Sequence, residues 1–201
     1  MARLNAIEYA AMQSPVRRVV QRRWELATFE RLLDRAGVDL QGARILDAGC
    51  GSGYGLELLQ QRFTPARLVG FDLMPEQMER ARARAVPGAE VRVGDITKID
   101  EPDGAFDAVF LFGILHHVPA WRAALVELAR VLTPGGVLCV EEVHGRAAWA
   151  IDTFFFFSHP REAAFGWPAF RQGLDDAGFS ILGEQRLAWE AARSFIARVR
   201  A

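Results

Sequence analysis

The sequence predicts an α/β fold: a doubly wound sheet of seven strands, five parallel and two forming an antiparallel C-terminal hairpin, with helices on both faces. Three observations carry this. Apolar runs alternate with helical periods between residues 44 and 143, and that alternation implies right-handed βαβ units. A glycine-rich turn follows the first run, in ILDAGCGSGYG, where sheets of this kind place a ligand. Near the C terminus two strand-like runs, 179–187 and 194–199, follow each other with only a short connection, which suits an antiparallel pair.

Taken in order, residues 44–48 read as a short buried strand and 56–63 as the helix after it. Residues 67–72 (RLVGFD) are the second strand. Pro75 suits the first turn of a helix, which 76–85 continue. Residues 90–94 form the third strand. FDAVFLF, 106–112, is apolar enough to be a central fourth strand covered on both faces. The helix 121–132 repeats Leu125, Leu128, Ala129 and Leu132 at helical spacing, and Thr133-Pro134-Gly135-Gly136 stops it. Residues 137–143 are the fifth strand, and 167–177 the last helix, ending at Gly178.

Ahead of the sheet, residues 1–40 read as a helical arm and 41–201 as a single domain. The arm's helix, 15–36, carries Val16, Val20, Trp24 and Ala27 on one stripe and Val19, Leu26, Phe29 and Leu33 on another. Its first half is basic through Arg17, Arg18, Arg22 and Arg23.

Composition excludes several classes. With 51% hydrophobic residues the chain can bury a core rather than stay disordered. A net charge of −1 supplies no field to recruit nucleic acid. No Asn/Asp-Pro-Pro-Tyr/Phe motif follows the fourth strand, where Phe112-Gly113-Ile114-Leu115 stands. Cys50 and Cys139 suggest no disulfide framework, so a reducing cytoplasm is expected. The first ten residues lack a secretory core, and the apolar stretch 147–157 is short and broken by Asp152.

The glycine turn narrows the ligand. A dinucleotide fingerprint fails, since its last glycine would fall on Tyr54 or Leu56. A phosphate loop fails too, because the only lysine, Lys98, follows Thr97. What remains is Asp47-x-Gly49-x-Gly51-x-Gly53. An acid beside the turn repels a pyrophosphate and suits an ammonium. Asp72, ending the second strand, can accept from a ribose diol. Asp95, after the third, can accept from an adenine amine. Each acid could instead cap a helix or sit in a loop. Jointly they describe a ligand containing an adenosine and a cationic amino acid.

Five segments in order, LDAGCGSG, GFD, VGDIT, FDAVFLFGILHHV and LARVLTPGGVLCVEE, resemble the class I S-adenosylmethionine-dependent methyltransferases, particularly the small-molecule type 11 group. The resemblance implies a Rossmann-like fold, S-adenosylmethionine as cofactor and S-adenosylhomocysteine as product. Gly49, Gly51 and Gly53 would form the turn, with Gly49 and Gly51 letting backbone approach the methionine and ribose portions. Asp47 would help hold the amino group and Asp72 the ribose. Leu73 and Met74 would line the adenine, Asp95 and Ile96 would meet its edge, and the Phe112 carbonyl would accept from the ammonium. Tyr54 is bulkier than the pattern expects.

Methyl transfer from a sulfonium is an in-line displacement that needs alignment and exclusion of water. A base is required only for a protonated acceptor. Candidates after strands four and five are His116, His117, Glu141, Glu142 and His144. His117 is the candidate base, and Glu141 and Glu142 the candidate acceptor-orienting acids. Those acids could equally sit at the wet end of the strand. No metal site is expected, because adjacent histidines point apart on most backbones and no His-x-x-x-His or cysteine cluster supports them. The insert with Trp149, Phe154, Phe155, Phe156, Phe157 and His159 reads as a helix packed on the core or as a lid over a hydrophobic acceptor.

The expected function is methyl transfer to O, N or C of a small-molecule acceptor, a hydrophobic one among the candidates, without nucleic acid as partner. One alternative is a lipid or quinone-like acceptor at the membrane surface, reached through the basic arm, which otherwise reads as a solvated helix that covers the cofactor. Another is a non-catalytic protein that binds S-adenosylmethionine or S-adenosylhomocysteine. The acceptor's identity and the oligomeric state are not legible in the sequence.

Overall fold

A computed structural model describes residues 14–155, 159–187 and 190–200. Ser14 starts the first helix: its hydroxyl accepts from the Arg17 amide, and Pro15 occupies the first turn. Helix α1 (Pro15–Val20) runs through a π-helical stretch (Gln21–Leu26) into α2 (Ala27–Arg35). Of the expected arm, residues 1–13 lie outside the described residues.

The elements that follow are β1 (Arg44–Ala48), α3 (Tyr54–Phe63), β2 (Arg67–Asp72), α4 (Pro75–Ala83), β3 (Ala89–Val93) and β4 (Phe106–Phe112). After a 3-10 turn (Leu115–His117) come α5 (Trp121–Val131), β5 (Leu132–Val143) and α6 (Gly145–Phe155). A second 3-10 turn (Arg161–Ala163) leads to α7 (Trp167–Asp176), β6 (Phe179–Leu187) and β7 (Ala192–Val199). The seven strands lie in the order β3-β2-β1-β4-β5-β7-β6. β1 to β5 pair in parallel, and β7 runs antiparallel to both β5 and β6. The strand order reverses between β1 and β4, which opens a crevice at their carboxyl ends.

Alternation along the strands builds one core on each face. Leu46, Val69, Val109, Leu138 and Val140 face α5 and α7. Ile45, Leu68, Phe110, Cys139 and Ile196 face the arm and α3. On that second face Phe29 of α2 packs against Phe110 and Phe112 with ring centroids 5.8 and 5.6 Å apart. The arm's second half is therefore part of the core, and its first half is carried to the crevice.

Two boundaries move. β5 begins at Leu132, not at residue 137: Leu132 pairs with Phe106, and the next pair is Val137 with Ala108. The Pro-Gly-Gly segment bulges out of the ladder, so it interrupts the strand without preceding it. β7 begins at Ala192, opposite Val143. Phe154 and Phe155 close α6, while Phe156 and Phe157 lie outside the described residues. Among the described residues no helix is long and apolar enough to cross a membrane.

Candidate active site

A pocket opens at the carboxyl ends of β1, β2 and β4. Asp47, Gly49, Cys50, Gly51, Asp72, Met74, Phe112 and His117 all border it. Asp47 sits deepest. It is 1% exposed, and neither carboxylate oxygen has a hydrogen-bond partner. Burial, reinforced by the nearby Asp72 charge, pushes its carboxyl up to about 8. It caps no helix. The neighbouring Gly55 is needed because a Cβ there would collide with Asp47 Oδ2.

The three glycines of the turn divide their roles. Gly51, at φ +51°, has nothing within 4 Å of where a Cβ would sit and is the open edge of the cradle. Gly49 borders the pocket, but its missing Cβ makes room for Ile114, 2.8 Å away. Gly53 instead faces Ala81 of α4 at 3.1 Å. Gly49 thus borders the pocket and also makes room for Ile114, and Gly53 lies outside the pocket lining.

Asp72 is 5% exposed and accepts from the amides of Gly51 (3.2 Å) and Met74 (2.9 Å). It both pins the glycine turn and faces the pocket. Met74 and Gln77 form the pocket's end beyond it. Leu73, Asp95 and Ile96 do not line this pocket. Asp95 accepts from the amide and hydroxyl of Thr97, each at 2.8 Å, the local turn that the capping alternative describes.

The arm supplies residues that the sequence did not assign to the pocket: two of its basic residues and Gln21. Arg17, Arg18 and Gln21 line the pocket, Gln21 from the π-helical stretch. Such stretches often mark functional sites because they re-aim side chains. Arg18 lies over the Tyr54 ring, 5.8 Å from its centroid, so Tyr54 serves as a platform at the pocket's edge. Arg17 pairs with the buried Glu25 and donates to the Phe112 carbonyl at 3.2 Å. That is the carbonyl expected to accept from an ammonium.

Glu141 and Glu142 lie on opposite faces of β5, and neither is at a wet end. Glu142 is fully buried and accepts from the amides of Ile114 (3.0 Å), Leu115 (2.6 Å) and His116 (3.2 Å) and from His116 Nδ1 (2.8 Å). Its carboxylate is committed to holding the turn after β4. Glu141 faces the arm, where Ser194 Oγ donates to it at 3.1 Å. Burial and the neighbouring Glu25 hold its carboxyl well above the ordinary range. Its charged form is thereby disfavoured. His144 points elsewhere: its Nδ1 accepts from the Arg146 amide at the start of α6.

His116 and His117 do not diverge as adjacent residues in a strand would. On the 3-10 turn their ring centroids are 4.2 Å apart. The insert brings a third ring, His159, 4.6 Å from His117 and 5.0 Å from His116. Burial, followed by the two neighbouring imidazoles, pushes His117 down to about 2. As a base at neutral pH it is weak.

Residues 46–140 match a family profile described as "Methyltransferase domain". Among curated proteins, the fatty-acid O-methyltransferase of Mycolicibacterium smegmatis is 31% identical over 159 residues, 79% of this chain and 52% of that protein. The trans-aconitate 2-methyltransferase of Methylobacterium nodulans is 33% identical over 128 residues, 59% of this chain and 49% of that protein. The chain thus spans about half the length of these relatives. A solved S-adenosylmethionine-dependent methyltransferase from Aquifex aeolicus superposes with a TM-score of 0.75 at 19% identity, over 98% of this chain and 100% of that one. That likeness concerns the fold.

Proposed function

Since the chain carries a class I S-adenosylmethionine-dependent methyltransferase domain, we propose that it moves a methyl group from S-adenosylmethionine to an oxygen of a small-molecule acceptor, with a carboxylate as the acceptor that the site favours. The carrying observation is Asp47. A buried carboxylate without a single internal partner is costly. A cationic amino-acid group aimed at it offsets that cost, whereas a phosphate would add to it. The residues present fit S-adenosylmethionine: Asp47 for the ammonium, Asp72 for the ribose diol, Gly51 for close backbone approach, and Arg18 on Tyr54 for the ligand's carboxylate.

When bound, S-adenosylmethionine supplies a methyl activated on a sulfonium. The chain's contribution is placement. Asp47 and Phe112 fix the amino-acid end, the glycine turn fixes the ribose end, and the arm excludes water above them. The candidate base, His117, does not suit that task at neutral pH because burial disfavours its protonated form; of the two acids expected to orient the acceptor, Glu142 is spent on amides and burial disfavours the charged form of Glu141. An acceptor that is already anionic needs no base. Both relatives described above are named for carboxylic acids, which supports the same reading for oxygen over nitrogen or carbon.

The test is methyl transfer from labelled S-adenosylmethionine to a panel of alkyl and polycarboxylic acids, with amines and phenols as controls. Methyl esters are the expected products. Binding of S-adenosylhomocysteine without product on any acceptor would leave the non-catalytic alternative in place.

A second reading concerns a lipid acceptor. Val16, Val19 and Trp24 are exposed on the arm at 71, 54 and 59%, beside Arg22 and Arg23. Exposed apolar residues among arginines suit an anionic lipid surface. Co-sedimentation with anionic but not neutral vesicles, lost in Trp24→Ser, is the expected result if the acceptor is taken from a membrane.

A further inference from the structure

We propose that His116, His117 and His159 form a binding site for a divalent transition-metal ion of the zinc type on the acceptor side of the pocket. One ring nitrogen from each histidine lies within 4.8 Å of one from each of the others. Two of the three come from the 3-10 turn after β4. The third comes from the far end of the insert that follows β5. Chain proximity alone does not bring these together; the fold does.

The surroundings are those of a metal site rather than of a stack of rings. His116 Nδ1 lies 2.8 Å from Glu142 Oε2, and His159 Nδ1 is hydrogen-bonded to Asp152. A carboxylate only accepts, so each Nδ1 carries the hydrogen and Nε2 is the ring nitrogen whose lone pair can coordinate. This carboxylate–histidine arrangement orients metal-bound imidazoles and raises their basicity. Glu142 is itself anchored by three backbone amides, so the His116 ring is held on a rigid support. Ring packing alone requires neither carboxylate.

The ligand set selects the ion. Three imidazoles suit zinc, cobalt, nickel or copper and disfavour magnesium or calcium, which require oxygen donors. Metal–nitrogen bonds of about 2.0–2.1 Å place nitrogens roughly 3.4 Å apart in a tetrahedral centre. Closing from 4.8 Å asks for a modest rotation of His159, which sits in a connecting segment. Three protein ligands leave a fourth position for water or substrate. His117 borders the pocket, so that position would face the acceptor and could seat one oxygen of an anionic group.

The proposal concerns the metal site itself and does not depend on which acceptor is methylated. Chelator-treated full-length protein is titrated with Co²⁺ and then with Zn²⁺. The expected result is one equivalent of Co²⁺ bound, with visible absorption bands of a low-coordinate nitrogen site that Zn²⁺ abolishes. His159→Ala should weaken binding by at least about 100-fold and Asp152→Asn by about 10-fold. S-adenosylhomocysteine affinity of both variants should stay within about twofold of wild type, which reports an intact fold if His116→Ala fails to fold. Binding below 0.1 equivalent at about 100 μM metal, far weaker than sites of this kind, overturns the proposal. Equal Co²⁺ affinity in wild type and His159→Ala overturns it as well.

Discussion

Asp47 and Glu142 are both buried carboxylates at the carboxyl ends of parallel strands, and their surroundings are opposite. Glu142 accepts three backbone amides and one imidazole. Asp47 accepts none. Removing a carboxylate from water costs several kcal/mol unless hydrogen bonds replace the lost hydration. At Glu142 the chain itself supplies them, and the reward is a fixed turn after β4 that carries His116 and His117. At Asp47 the chain supplies none, so the carboxyl either keeps a proton or is compensated by a bound cation. The crevice thus has a self-sufficient wall on the β5 side and an incomplete one on the β1 side.

The largest expected effect separates the two walls by stability. Glu142→Gln should cost about 3 kcal/mol, because an amide cannot accept from all four donors and its NH2 group opposes some of them. Asp47→Asn should leave stability unchanged or raise it, since Asp47 makes no hydrogen bond to lose and must give up its charge to be buried, whereas an amide is always neutral. Denaturant unfolding of both variants without ligand tests the contrast. Equal destabilisation would erase it. A Glu142→Gln protein of normal stability but low turnover would return Glu142 to the acceptor-facing role.

The next effect separates them by binding. Asp47→Asn should weaken S-adenosylhomocysteine binding by about 30-fold, the loss of one charge-assisted contact of about 2 kcal/mol. Calorimetry measures it directly.

The protonation of Asp47 adds a sign. With its carboxyl at about 8 in the free protein, Asp47 is mostly neutral at pH 7. A bound ammonium favours the ionised form and lowers that value. Binding therefore releases a proton, and affinity should climb from pH 6 to pH 8 by up to about tenfold per pH unit. At higher pH the ligand's own α-amino group loses its proton and the gain ends. Titrations in buffers of different ionisation enthalpy should show the released proton, and Asp47→Asn should show none.

The two walls also differ in how much of them the sequence reveals. Asp47, Gly51 and Asp72 lie at the ends of consecutive strands, so the alternation of helix and strand is enough to bring them together. The parallel sheet and the terminal hairpin are legible for the same reason, since their patterns are local. His159 joins His116 and His117 only through the path of the insert, which no spacing encodes. Arg17 and Gln21 reach the pocket from the α-helical start of the arm and from the π-helical stretch after it, and helical periodicity does not show which side of the arm meets the crevice. Glu142 looks like an acid near a strand's wet end until the four donors around it are seen. At Asp95 one carboxylate oxygen accepts from the Thr97 amide and hydroxyl, a local turn that the position at a strand end does not announce.

The smallest expected effect tests where the arm belongs. Arg17 donates to the Phe112 carbonyl and pairs with Glu25, so in the free protein a guanidinium stands where a ligand's ammonium is expected. Like charges that share one acceptor compete. Arg17→Gln should therefore tighten S-adenosylhomocysteine binding, by about threefold, the size of a partly solvated charge interaction of less than 1 kcal/mol. Arg18→Gln should move the other way by a similar factor, because Arg18 rests on Tyr54 with no carbonyl to contest and is placed for the ligand's carboxylate. Opposite signs at neighbouring arginines would show that the arm completes the β1 wall with one residue while it guards that wall with the other. Weakening in both would assign the whole basic turn to the ligand's carboxylate and leave Asp47 as the only group that reads its positive charge.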